Sequence, residues 1–328
     1  MIKKGTGIAS FVYPIGLGLG ANDTSVVIVT VNDDGSVSVL SGASELGQGS
    51  DDVVAMVVAE ELGVLFEDVQ VISADTGMTP FAGLSSGSRQ TFVTGHAAQE
   101  AARNIKTSLL DVAAEMLGST AEHISFRERK VYDSGRQTDI TLADVGKFCF
   151  DHARRVTGMG SADITGGFPD LETGQGSPFV DFVYGTHIAE VEVDTVTGQV
   201  EVLRIIAVHD VGKTIHATSL EGQIEGGVSM GFGYAMMEEV LVSEGRLLTP
   251  SFAEFQIPTI LDMPKVEPVI LETPSQYGPF GARGVAEPPV VAVAPSICNA
   301  IFDAVGVRPR DLPITAEKMR ALLKENGY

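Results

Sequence analysis

Two stretches of this chain alternate apolar and polar residues with the period of a β-strand. Residues 24–40 read TSVVIVTVNDDGSVSVL, and residues 185–208 read GTHIAEVEVDTVTGQVEVLRIIAV. Each is broken once by a turn signal, Asp33-Asp34-Gly35 in the first and Thr197-Gly198 in the second, so each predicts a β-hairpin. Helical patterning appears elsewhere. Residues 51–62 carry acids in what becomes a first turn. Residues 90–117 place Ala97, Ala101, Ile105, Leu109 and Val112 on one stripe, the longest amphipathic pattern of the chain. A glycine-rich helix is expected from Leu220, and a closing helix after Pro313 with Thr315 as its cap. Residues 69–73 read as a short strand and 76–89 as a long irregular loop.

The order of these elements repeats. A hairpin, a polar loop with a Gly-Gln pair and a helix occur twice, with Gly47-Gln48 in one copy and Gly222-Gln223 in the other. This predicts an α+β fold of two related halves, each a mixed sheet plus helices. The halves would span 1–157 and 179–328, joined by a linker over 158–178 that is rich in Gly, Ser, Asp and Thr.

At 328 residues, 44% hydrophobic and 20% charged, the chain has the make-up of a folded globular protein. A formal net charge of −21 argues against nucleic acid or an anionic membrane surface as partner, since both require clustered Lys and Arg. The two cysteines, Cys149 and Cys298, are far apart and sit in apolar runs. They read as core residues and favour a cytoplasmic location. Lys3, Lys4 and the apolar stretch 8–21 resemble a signal peptide only superficially, because glycines and Pro14 interrupt them.

Candidate chemistry concentrates in three polar, glycine-rich loops: SELGQGSDD around Gln48, FAGLSSGSRQTF around Ser86 and GPFGARGVAEPP around Glu287. Each precedes an expected helix, where unpaired backbone amides favour anionic groups, and together they could clasp a large phosphate-bearing cofactor. Glu287 stands directly before Pro288 and Pro289. Locally the simpler reading is a helix cap, and the alternative is a general base with a tuned pKa. No GxxxxGK[ST] motif is present. Gly16, Gly18 and Gly20 precede the first clear strand and so do not form a dinucleotide fingerprint. The six histidines show no metal-ligand spacing. His209-Asp210 could be a catalytic pair but reads more simply as a structural strand end. Ser86 or Ser88 could be a nucleophile, without a base or a GxSxG elbow to support it.

With these loops in view, the chain resembles the molybdenum-cofactor-binding part of the xanthine dehydrogenase/aldehyde oxidase family, over nearly its whole length. The runs that carry the likeness are LSGASELGQGSD, SSGSRQTFVTGHA, HIAEVEVDTVTGQVEVLRIIAVHDVGKTI, EGQIEGGVSMGFGYAMMEE and GARGVAEPPVVAVAPSICNAIFDAVGV, in the family's order. The resemblance implies a molybdenum hydroxylase subunit with molybdenum–molybdopterin, in its cytosine dinucleotide form, as cofactor. It implies that Gly47, Gln48 and Gly49 lie beside the metal's ligands, and that Ser85, Ser86, Gly87, Ser88, Arg89 and Gln90 bind the pterin and its pyrophosphate. Arg283, Gly284, Val285 and Ala286 would continue those contacts, with no metal ligand supplied by the protein. Glu287 matches the catalytic glutamate, acting as base in a hydroxylation that takes its oxygen from water, and Tyr13 is a candidate substrate contact. The likeness is to the C-terminal portion of the family's large subunit. It therefore implies a second molybdopterin-binding subunit, an iron–sulfur subunit and a FAD subunit as partners. The split arrangement is most like the smaller molybdopterin chain of nicotinate dehydrogenase, with an N-heterocycle such as nicotinate as substrate. The alternatives are an aldehyde or purine substrate, a non-catalytic scaffold subunit, or a hydrolase using His209 and Asp210.

Overall fold

Both alternating stretches form the antiparallel hairpins that their turns require. The structure, a computed structural model, describes all 328 residues. It opens with a strand that the hydrophobic pattern does not announce, β1 (Ile2–Pro14). The first hairpin is β2 (Thr24–Val31) and β3 (Val37–Ser41), followed by α1 (Ser50–Leu62) and β4 (Val69–Ser73), which pairs parallel to β3. One π turn over Gln90–Thr94 leads into α2 (Gly95–Leu117), whose stripe from Ala97 to Val112 is buried as expected. A small meander, β5 (Ile124–Arg127), β6 (Lys130–Asp133) and β7 (Arg136–Thr141), and the helix α3 (Leu142–Asp151) complete the first half.

The expected linker begins as a strand, β8 (Thr157–Asp163), antiparallel to β2. The second hairpin follows as β9 (Phe182–Asp194) and β10 (Val200–Asp210), then α4 (Ala217–Met236). An excursion holding β11 (Val242–Ser243), β12 (Arg246–Leu247) and α5 (Phe252–Phe255) separates α4 from β13 (Lys265–Leu271), which lies parallel to β10. The chain ends with α6 (Pro288–Val291), α7 (Val293–Val305) and α8 (Ala316–Glu325), the last capped by the Thr315 hydroxyl, which accepts from the Lys318 amide.

The main sheets run β4-β3-β2-β8 and β1-β9-β10-β13, so each half repeats an edge strand, a hairpin and a parallel fourth strand. The edge strands are exchanged. β1 precedes the first hairpin yet pairs with β9 of the second, and β8 precedes the second hairpin yet pairs with β2 of the first. The reason lies in glycine. A Cβ at Gly5 or Gly7 would stand 2.2 or 2.1 Å from the backbone of α7 at Ala300, and one at Gly158 or Gly160 would stand 2.3 or 2.2 Å from the carbonyls of Ala101 or Ala97 in α2. Both edge strands thus press bare backbone onto a helix with small residues at matching positions. The glycines at 16, 18 and 20 therefore follow a strand after all, but they lead into β2 and not into a helix, so no dinucleotide fingerprint results.

One hydrophobic core lies between the first sheet and α1, α2 and α3, and a second between the other sheet and α4, α7 and α8. Residues 288–305 are long and apolar enough to cross a membrane by composition alone; here they form α6 and α7, half buried in the fold.

Candidate active site

Glu287 ends the loop before α6, and its carboxylate does not cap that helix. Pro289 removes one of the two amides a cap would use, and the other, on Val290, donates to the Glu287 carbonyl at 3.2 Å. The side chain turns instead onto the loop before α2. The Gly87 amide donates to Oε1 at 2.8 Å, and the Ser88 hydroxyl donates to Oε2. Ser88 Oγ in turn accepts from the amides of Ala286 and Glu287, each at 3.1 Å. This hydroxyl is thereby saturated, which removes Ser88 as a nucleophile. Ser88 holds a left-handed φ of 52°, and a Cβ on Gly284 would fall 1.6 Å from its carbonyl oxygen. The two loops fit only because residue 284 has no side chain.

Beneath Ser88 lies a buried ion pair. The Arg89 guanidinium, fully enclosed, donates to Asp23, to the carbonyls of Ala82 and Leu84, and to that of Thr24 at 2.8 Å. The second oxygen of Asp23 accepts from the Leu17 amide at 2.7 Å. Four of the five N–H groups of Arg89 are thus committed to protein, so its charged group holds the loop in place. Arg283 is used in the same way: Nε donates to Asp181 at 3.1 Å and Nη1 to the Thr273 carbonyl at 2.7 Å, beside Asp210.

The expected anion-binding amides before α1 are partly spent. The carboxylate of Glu45 accepts from the amides of Gly47 at 2.7 Å, Gly49 at 3.0 Å and Asp51 at 3.2 Å. Burial alone would raise the Glu45 carboxyl, but these bonds outweigh it and hold it below the usual carboxylate range. Gln48 also folds onto its own loop, its Nε2 donating to the Ser44 carbonyl and to Ser50 Oγ at 3.0 Å each. An acid three residues before the Gln was the available signal for this self-capping.

All three loops nevertheless meet at one cavity of about 580 Å³. Its wall takes Gln48 and Ser50 from the first loop, Ser85, Ser86, Ser88, Arg89 and Gln90 from the second, and 282–287 from the third. Tyr13, from the exchanged strand β1, stands there too; burial, and then the charge of Glu287, push its phenol up to about 12. Sequence reasoning missed the contribution of the second half: Lys213, Thr214, His216, Ser219, Gln223 and Met230 also line the cavity. The recurrent Gly-Gln pair was a partial clue: Gln48 lies in the loop before α1, whereas Gly222-Gln223, expected in a loop, lie inside α4, which begins at Ala217. Nowhere do three His, Cys, Asp or Glu side chains gather as a metal site.

His209-Asp210 is not a catalytic pair. Successive strand residues point to opposite faces, so His209 lies fully buried in the sheet's core face while Asp210 accompanies Arg283. His209 Nε2 is 2.9 Å from Nε2 of His187, also fully buried.

Residues 1–264 match the family of molybdopterin cofactor-binding domains. The chain is 32% identical over 329 residues to a putative xanthine dehydrogenase molybdenum-binding subunit of Escherichia coli K12, covering 97% of this chain and 42% of that one. It is 33% identical to the nicotine 6-hydroxylase large subunit of Paenarthrobacter nicotinovorans, over 96% of this chain and 40% of the relative. Among solved structures, the aldehyde oxidoreductase of Desulfovibrio desulfuricans superposes with a TM-score of 0.81 at 32% identity, over 98% of this chain and 32% of that one. The chain thus spans about two fifths of the length of the curated relatives it matches. It belongs to the molybdopterin cofactor-binding domain family.

Proposed function

We propose that this chain is one subunit of a molybdenum hydroxylase and that Glu287 is its catalytic base. The observation that carries the reading is the Glu287 carboxylate, fixed by Gly87 and Ser88 at the cavity where three glycine-rich loops converge. The cavity fits the cofactor. Ser85, Ser86, Gly284 and Val285 line it, and their amides donate to no acceptor in the protein, which suits a polar, phosphate-bearing pterin. A Cβ on Gly47 would meet nothing within 4 Å, so there is room beside Gln48.

When bound, the molybdenum centre supplies the two-electron redox chemistry and activates the water-derived oxygen. The chain's residues do the rest. Glu287 uses two of its four lone-pair positions on Gly87 and Ser88, leaving a carboxylate oxygen able to take a proton. Ser88 keeps that oxygen directed by bridging the two loops. Arg89 and Asp23 fix the loop from below, and Gln48, Gly49 and residues 284–286 shape the cofactor's seat. Tyr13 stays protonated well above neutral pH and offers a hydrogen-bond donor to substrate beside Glu287.

A cytosine dinucleotide form of the cofactor, a second molybdopterin-binding chain, and iron–sulfur and FAD subunits complete this reading. The substrate is an N-heterocycle such as nicotinate, in keeping with the relative named for nicotine hydroxylation; a purine is the second reading, in keeping with the xanthine dehydrogenase relative. Glu287→Gln in the purified complex is expected to lower hydroxylation on the order of 10²–10⁴-fold while molybdenum and pterin content stay unchanged. Unaltered turnover would return Glu287 to a structural role and the chain to a scaffold.

A further inference from the structure

Gln90 opens the π turn that leads into α2, and it reaches the cavity wall. Such turns widen the helical backbone and recur at functional sites. Here the Gln90 carbonyl accepts from the Gly95 amide, five residues on. A threonine hydroxyl inside a helix can bond back to the carbonyl four residues before it. For Thr94 that carbonyl is the one the Gly95 amide occupies, and the hydroxyl bonds to the Gln90 side chain instead, at 2.5 Å.

The direction of every bond around Gln90 follows from one acceptor. The Leu84 carbonyl can only accept, so the end of the amide facing it at 3.1 Å is Nε2. The same nitrogen gives its second hydrogen to Ser85 Oγ at 3.2 Å, and Ser85 Oγ donates in turn to the Ser44 carbonyl at 2.8 Å. Oε1 then faces Thr94 and only accepts. Thr94 is therefore the donor, and it takes its own hydrogen bond from Ser25 Oγ at 2.9 Å. Ser25 and Thr94 are fully buried, and Gln90 nearly so. A one-way chain thus runs from Ser25 on β2, through Thr94 and Gln90 of the π turn and Ser85 of the second loop, to Ser44 of the first. There it meets Gln48, whose Nε2 also donates to the Ser44 carbonyl and gives its other hydrogen to Ser50 Oγ. Both amide hydrogens of each glutamine are spent inside the protein.

We propose that Gln90, with Thr94 and Ser85, is a positioning device that ties the second glycine-rich loop to the first through the Ser44 carbonyl. The tie sets the separation of the two walls between which the cofactor lies, and it replaces the expected direct contact between Gln90 and the cofactor. It rests on the reading of the cavity as the cofactor's seat. The bonds of Gln90 go to protein acceptors, whereas the amides of Ser85 and Ser86, which the tie holds in the wall, donate to nothing in the chain. Thr94 itself does not line the cavity, so what its hydroxyl does for the site passes through Gln90.

Hydrogen–deuterium exchange of the purified protein, read by mass spectrometry, tests the tie independently of activity. In the first loop the amides of Leu46, Gly47, Gly49 and Asp51 are protected by Gln48 and Glu45. Thr94→Val keeps the shape and removes the donor; it should speed exchange in the peptide 44–51 by about tenfold, although Thr94 bonds to none of those residues. Thr94→Ser, which keeps the hydroxyl, should return the parent rate. Ser85→Ala cuts the same chain further along, so it should match Thr94→Val, and the two together should exceed neither. Unchanged exchange in the first loop, a Thr94→Ser variant as fast as Thr94→Val, or effects that add would each overturn the proposal. If Thr94→Val does not fold, Gln90→Met and Ser85→Ala are scored on the same peptide by the same criteria. Thr94→Val should also retain less molybdenum and pterin than the parent through gel filtration, and equal retention would count against the tie. A parent protein that carries neither sinks the functional reading alone, because exchange in the first loop still decides whether the loops are joined.

Discussion

Mild acid should destabilise this protein, and two side chains set the size of the effect. His187 on β9 and His209 on β10 meet Nε2 to Nε2 at 2.9 Å, both fully buried. In such a pair one ring donates and the other accepts, so the accepting ring carries its proton on Nδ1. Neither Nδ1 has a partner. A further proton would add a charge and a second stranded donor in a core lined by Phe11. Burial pushes His187 from its ordinary 6.5 down to about 4; burial, and then the neighbouring His187, push His209 down to about 3. Unfolding restores the ordinary value.

Between the folded and unfolded values the unfolded chain binds more protons, so stability rises with pH and is lost as pH falls below about 6.5. At pH 5 each histidine has moved about 1.5 units below its unfolded pKa while still neutral in the fold, which costs about 2 kcal/mol each and about 4 kcal/mol for the pair. That is a large part of a typical folding free energy of about 5–15 kcal/mol. Urea unfolding of the purified protein, followed by far-UV circular dichroism at about pH 7.5 and 5, measures it. H187F/H209F, which keeps two rings in the same core, should abolish most of the difference. An equal loss in the parent and the double variant would refute the reasoning and assign the acid response to carboxylates. Because β10 passes from His209 directly to Asp210 and Val211, which hold Arg283, acid opening of this core should also disturb the loop that carries Glu287.

Three further substitutions test the supports of the site. Arg89→Met leaves the Asp23 carboxylate buried without its cation and should cost about 3–5 kcal/mol in urea unfolding, with Arg89→Lys failing to restore it because an ammonium cannot reach all four acceptors. Ser88→Ala removes the hydroxyl that links the two loops. Hydroxylation by the complex should fall on the order of tenfold or more in kcat, while molybdenum content is kept. Gly160→Ala drives a methyl to 2.2 Å from the Ala97 carbonyl, and should lower stability by about 1–3 kcal/mol, read as a shift in the urea midpoint.

Hairpins, helices and the three loops were legible because each announces itself through side chains. Alternating Val and Ile require a half-buried strand, and the Ala97–Val112 stripe requires a helix with one buried face. Strands β1 and β8 were silent for a physical reason. Where they cross a helix their inward positions hold Gly5, Gly7, Gly158, Gly160 and Ala162, because the contact there is with helix backbone and leaves no room for a large side chain; Phe11, further along β1, is the large buried exception. Hydrophobicity cannot report a contact made by omitting a side chain. The pattern was present in another form, as a Gly-x-Gly at the same place in each repeat. In the site, residue identity marked the loops correctly, but how their groups are used depended on distant partners. Arg89 became a support through Asp23, the amides before α1 were taken by Glu45, and the Glu287 carboxylate was drawn from its helix by Gly87 and Ser88.

The exchange of edge strands explains why a site shared between two halves can hold a base to within a hydrogen bond. Cutting the chain between 164 and 178 would leave the second sheet dependent on a strand from the other piece, since β1 belongs with β9, while β8 stays with β2. A hinge there is therefore opposed by the β1–β9 ladder of backbone hydrogen bonds, 13 residue pairs long. The cavity sits on that seam. Tyr13 reaches it from the end of exchanged β1, the Gly16 amide just beyond donates to the Gly87 carbonyl at 2.9 Å, and Gly87 in turn holds Glu287 from the opposite half. The contacts thus run from β1 in the second sheet, through the glycine loop of the first half, and back to the carboxylate of the second half. Separating the halves would break the site's hydrogen bonds before it opened the cavity, so access for cofactor and substrate is expected from the open side beside Met230 and not by parting of the halves.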